Sequence, residues 1–94
     1  MAEVKTFKMM SGEEVITRVE DGSTDNHIKI IKPRTIAITP IGPGQAQLAL
    51  IPYVASDPDG EFDIPKTAIM CEITLSNDQL EKGYLEQTSG IVLA

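Results

Sequence analysis

The side chains able to do chemistry in this 94-residue chain make a short inventory. The densest ionisable run is Asp57-Pro58-Asp59-Gly60-Glu61-Phe62-Asp63, with four carboxylates. Oxygen donors at that density suit a hard divalent cation, and two carboxylates at short range are a common acid-base pair. The run lacks the spacing and terminal bidentate glutamate of a calcium loop, and no nucleophile motif or oxyanion donor accompanies it. The expectation is therefore an acidic turn, neither a metal site nor an enzyme. Cys71 alternates with apolar residues and is expected on the buried face of a strand, as an inert small hydrophobe. The one histidine, His27, belongs to no metal-ligand spacing, and no cofactor is expected. Lys29, Lys32 and Arg34 are the only concentration of positive charge. Their spacing around Pro33 can leave them on an exposed edge, facing either phosphate or nearby carboxylates.

The elements that must position these residues read as strands. The run Val4 to Met10 ends at Ser11-Gly12, a turn signal, and Glu14 to Glu20 follows with Val15, Thr17 and Val19 on alternate positions, so a hairpin with one covered face is expected. Glu20 to Asn26 is dense in turn formers. The longest β region, His27 to Pro40, is interrupted at Pro33, which lacks a ladder donor and is expected at a bulge, bend or edge. After Ile41-Gly42-Pro43-Gly44, Gln45 to Val54 alternates again, and Glu61 to Leu75 places Ile69, Cys71, Ile73 and Leu75 on one face. In the last segment, Ser76 with Gln79 fits a capping box, Asp78 suits the first turn, and Gly90 suits a stop. A helix over about 77–89 is expected, with Leu80, Tyr84 and Leu85 as its apolar stripe and Gly83 as its weak point.

This pattern gives one mainly β domain over residues 1–94: five strands, strongly bent, closing into a small barrel over about 4–75, with a short C-terminal helix. Strong bends are what barrel closure demands. A core of this size is marginal alone, so oligomerisation is a natural remedy. The net charge of -6 opposes nonspecific binding to nucleic acid or anionic membranes, which makes any nucleic-acid site local. The single cysteine and the absence of an apolar leader in the first residues point to a soluble cytoplasmic protein with no membrane partner.

The early hairpin carrying SGEEVITRV, the bent middle strand and the late IPKTAI together resemble the Sm-like superfamily, which includes LSm proteins and bacterial Hfq. Small Sm-like proteins from phage genomes look most similar. Met9, Met10, Gly12, Val15, Val19, Asp25 and Asn26 can fill the first family motif. Lys66, Thr67 and Ala68 before Ile69 look like the basic tripeptide that precedes the last strand in Hfq, whereas the Arg-Gly pair of LSm proteins is missing. The family's N-terminal helix is also missing, and the helical signal lies at the other end of the chain.

The resemblance implies a homo-oligomeric ring in which the fourth strand of one subunit pairs with the fifth of the next. Leu48, Leu50, Tyr53, Ile69, Cys71 and Ile73 would then lie at the subunit interface. It also implies binding of short single-stranded RNA without chemistry, as a riboregulator or chaperone: Asn26 at a base edge, His27 stacking, and Lys66 with Thr67 at phosphate. The plainer reading makes Asn26 a turn residue and His27 a solvated strand start. The rival function is a structural ring, such as a phage assembly or scaffold component that has lost RNA binding.

Overall fold

The computed structural model describes residues 3–20, 26–76 and 78–89, so Asp25 and Gly90 lie outside the described residues. Its elements are β1 (Glu3–Met9), β2 (Glu14–Val19), β3 (His27–Gly42), β4 (Gln45–Pro52), β5 (Glu61–Pro65), one turn of 3₁₀ helix (Lys66–Ala68), β6 (Ile69–Ile73) and α1 (Gln79–Ser89). The sheet is antiparallel in the order β4-β3-β2-β1-β6, and β5 pairs with β3. A mainly β fold with a C-terminal helix is thus present, with two corrections. Six strands replace five, and among the described residues the sheet does not close into a barrel.

The extra strand arises because the run expected as Glu61 to Leu75 is cut at Pro65. Proline cannot donate to a ladder, and the chain turns through Lys66–Ala68 from a pairing with β3 to a pairing with β1. The β1–β2 hairpin forms as expected. Its turn is closed by Gly12 N–H donating to Met9 O at 2.9 Å, and Gly12 has φ +102°, which disfavours any side chain.

Strand β3 is long because it serves two partners in succession. Its first half, His27 to Ile31, pairs with β5, and its second half, Arg34 to Gly42, pairs with β4. Between them the β2–β3 register shifts, so that Lys32 and Pro33 stand against the single residue Thr17. This is a β-bulge at the expected proline. Lys32 takes a left-handed φ of 51° and sends its N–H to Gly60 O at 2.9 Å, out of the ladder.

The expectation that β2 has one covered face is corrected. Val15, Ile16 and Thr17 are all buried, so both faces are covered at the middle of the strand. On one face Phe7, Met9 and Val15 form the core, flanked by Val19, Ile28, Tyr53, Ile64, Ala68 and Ile69. On the other, Ile16 lies beneath α1. The helix begins two residues later than expected: Lys82 N–H donates to Asp78 O at 2.9 Å, which makes Asp78 rather than Ser76 the N-cap.

Candidate nucleic-acid interface and assembly edges

Tyr84 is the anchor of α1 and has no exposed surface. A bulge leaves ladder groups unpaired, and the phenol meets two backbone groups there: it accepts from Arg18 N–H at 2.9 Å and donates to Ile31 O at 2.8 Å. Thr17 Oγ1 donates to the same carbonyl at 3.0 Å, and Thr88 Oγ1 donates to Tyr84 O at 2.8 Å. Burial pushes the Tyr84 phenol above the usual tyrosine pKa, partly opposed by the Arg18 N–H bond and nearby positive charge. Burial, with the Glu13 carboxylate, also raises Tyr53.

Two of the three clustered cations are consumed at this bend. Lys32 Nζ donates to Thr88 O at 2.9 Å, a cation at the C-terminal end of α1, where the helix dipole favours it. Arg34 is only 4% exposed, which corrects its expected place on an exposed edge. Its guanidinium donates to Gln87 Oε1 at 2.6 Å, Asp59 Oδ1 at 2.8 Å, Pro33 O at 3.3 Å and Pro58 O. The loop between β4 and β5 folds back to supply two of these acceptors. Gly60 closes that loop, because a Cβ there would stand 2.9 Å from Phe62 Cζ and closer still to the Asp57 carboxylate. The acidic run is therefore split: Pro58 and Asp59 belong to a loop held by Arg34, whereas Glu61 and Asp63 lie in β5. Among the described residues no group of three or more His, Cys, Asp or Glu side chains could hold a metal. Lys29 remains at the surface, with Nζ 4.0 Å from Glu20 Oε2 and with Asp63 opposite it in β5.

The other candidates converge. Asn26 immediately precedes β3 and His27 starts it, Pro65 ends β5, and the antiparallel register sets His27 against Pro65. One residue further out, Lys66 N–H donates to Asn26 O at 2.9 Å. Asn26, His27, Lys66 and Thr67, separated by about forty positions in sequence, thus gather at one end of the β3–β5 ladder, all exposed. An amide, an imidazole, an ammonium and a hydroxyl in that arrangement can hydrogen-bond, stack and neutralise phosphate.

The candidate interface residues divide. Leu48 is exposed on β4, and Leu50 and Ile73 are half-buried. Tyr53 and Ile69 pack on the core, with Tyr53 beyond the end of β4. Cys71 is exposed in the single chain, contrary to the buried position expected of it. Among the described residues its strand β6 pairs only with β1, and it bears a half-buried or exposed pattern. Strand β4 is the opposite edge and, among the described residues, pairs only with β3.

A separate open cavity of about 270 Å³ lies between β1, β6 and the start of α1. Carboxylates of Glu72, Asp78 and Glu81 line it, and Lys5 Nζ stands 3.5 Å from Glu72. Sequence reasoning did not single it out, because its residues come from three distant segments. No helix among the described residues is long and apolar enough to cross a membrane. Comparison with known proteins gives no match, either to a protein-family model or to a curated protein.

Proposed function

We propose that the protein is a homo-oligomeric Sm-like ring that binds short single-stranded RNA without chemistry. The observation that carries the RNA reading is the 2.9 Å bond from Lys66 N–H to Asn26 O, which holds two separately chosen motifs in one exposed cluster. In this reading His27 stacks on a base, Asn26 bonds a base edge, and Lys66 with Thr67 meets phosphate. Each copy is a weak site, and repetition around a ring raises the effective concentration of the next contact.

Assembly is supported by the two sheet edges. A strand with one partner presents a row of unpaired backbone groups, which a second chain can satisfy. Here β4 and β6 are the edges of one sheet, and pairing β4 of one copy with β6 of the next is a head-to-tail contact that closes when its rotation divides a full turn.

The second reading, a structural ring without RNA, is favoured by charge. The chain carries -6, and Lys32 and Arg34 spend their cations inside the fold. Titration of labelled U-rich and A-rich oligonucleotides at several salt concentrations separates the two. RNA binding predicts saturable, salt-sensitive association that weakens in Lys66→Ala and His27→Ala; no saturable binding at low salt leaves the structural ring.

A further inference from the structure

The outer edge of β4 is not uniformly open. In an antiparallel strand one residue turns its N–H and C=O to the partner strand and the next turns both away. Tyr53 N–H donates to Pro33 O at 3.1 Å, in the same register that pairs Arg34 with Pro52, and this fixes the phase. Gln47, Ala49 and Ile51 therefore bond β3, while Ala46, Leu48 and Leu50 turn their backbone groups outward. The ladder's prolines agree, because Pro40 and Pro52 fall at positions from which this phase draws no bond between the strands.

Helix α1 reaches the edge at Leu50. Gln87 Nε2 donates to Leu50 O at 3.1 Å, and Gln87 Oε1 accepts from Arg34 Nε at 2.6 Å, so the side chain is held at both of its polar atoms. An added strand has to bring its own N–H to Leu50 O, where the Gln87 amide already stands. The next outward position is Pro52, which has no N–H to offer. Residues 45–49 are left, five of the eight positions of β4.

The other edge, β6, is five residues long. Met9 N–H donates to Glu13 O at 2.8 Å, which turns Phe7 toward β2 and leaves Thr6 and Lys8 to bond Ile73 and Cys71. Glu72 between them faces outward. A neighbour that continues the sheet antiparallel, as all its own pairings run, bonds outward groups to outward groups. Cys71, at the centre of β6, then stands only beside Gln45, Gln47, Ala49 or Ile51. Matching five residues to five selects Gln47.

We infer that Gln87 is a register stop for assembly: it confines the β6 of a second copy to residues 45–49 of β4 and sets Cys71 of that copy beside Gln47. The inference rests on the edge-to-edge reading above and adds to it the register and the residue that enforces it. Residues 45–49 carry no charge, so Glu72 meets no like charge along this segment.

Disulfide cross-linking of the full chain tests this, with native Cys71 as one partner and Gln47→Cys, Ala49→Cys or Ile51→Cys supplying the other. Residues directly opposite at such positions stand about 4.5 Å apart at Cα, and a slip of two residues takes them out of disulfide reach. Under mild oxidation, links between positions 47 and 71 should exceed those from 49 or 51 by roughly tenfold, read by mass spectrometry of the linked peptides. Gln87→Met removes the amide from Leu50 O, and in that background the links from 49 and 51 should rise several-fold. Dominant links from 49 or 51 with Gln87 intact overturn the stop and leave edge pairing standing. Links unchanged in Gln87→Met overturn Gln87 as the cause. A multimer that forms none of the three links, or a monomer, overturns the edge-to-edge reading itself. The three variants with Gln87 intact decide the register alone, so the test stands even where Gln87→Met fails to fold.

Discussion

The two halves of β3 are continuous in chain and opposite in character. Where the inner half ends, at the bulge of Lys32 to Arg34, backbone and side-chain polar groups find partners: Tyr84 serves the bulge, Arg34 gathers a loop and a helix, and Lys32 caps that helix. At the outer half, the same strand carries Ile38 and Ile41 largely into solvent. The bend spends polar groups to complete a fold within one chain. The ribbon leaves apolar groups at the surface. Charge is concentrated where polar groups are paired within the chain and absent from Thr35 to Ser56, where apolar side chains are exposed.

The comparison breaks most severely at Arg34. Arg34→Ala leaves Gln87 Oε1 and two carbonyls without their donor and returns Asp59 to water. We expect a loss of about 3 kcal/mol in denaturant unfolding of the protein. Asp59→Asn should cost much less, because that carboxylate is mostly exposed and its pairing is screened.

Tyr84→Phe keeps the ring's packing and removes the bridge between Arg18 N–H and Ile31 O. Ile31 O retains Thr17, so the orphaned donor dominates, and a loss of about 2 kcal/mol is expected by the same measurement. The phenol also sets an alkaline limit. Its pKa is raised in the folded chain, so the unfolded chain releases this proton first as pH rises. Its contribution to stability is therefore full below about pH 10 and declines above it. Tyr84→Phe should show a shallower alkaline loss of thermal stability than wild type.

A smaller change sharpens the contrast from the helix side. Gly83 lies inside α1, and an added Cβ meets only Leu50 Cδ1 at 4.0 Å, ordinary contact distance. Gly83→Ala should raise stability by about 0.5–1 kcal/mol, read as a higher unfolding midpoint with unchanged cooperativity.

Local signals made the bend legible in sequence, and long-range ones hid its contents. Pro33 marked the bulge because a missing donor is a property of one residue. Pro65 carried the same signal, yet apolar residues on both sides of it read as one strand. The burial of Arg34 depended on Asp59 and Gln87, far along the chain, and its neighbours Lys32 and Lys29 suggested an exposed patch. Cys71 followed a sound alternation, but alternation tells which residues share a face and not whether anything covers that face. The double burial of β2 required Tyr84, 66 positions beyond Arg18. The cluster of Asn26, His27, Lys66 and Thr67 was named residue by residue from the resemblance, while its convergence needed the β3–β5 register.

The central claim is that β4 and β6 are satisfied by neighbouring copies. Amide hydrogen exchange on the full-length protein, over a dilution series, tests it directly. The account predicts that outward-facing amides of residues 45–49 and Ile69–Ile73 are protected together in the assembled protein and lose protection together on dilution, while the β1–β2 hairpin stays protected. Fast exchange along both edges at concentrations where the protein is multimeric would contradict edge-to-edge assembly.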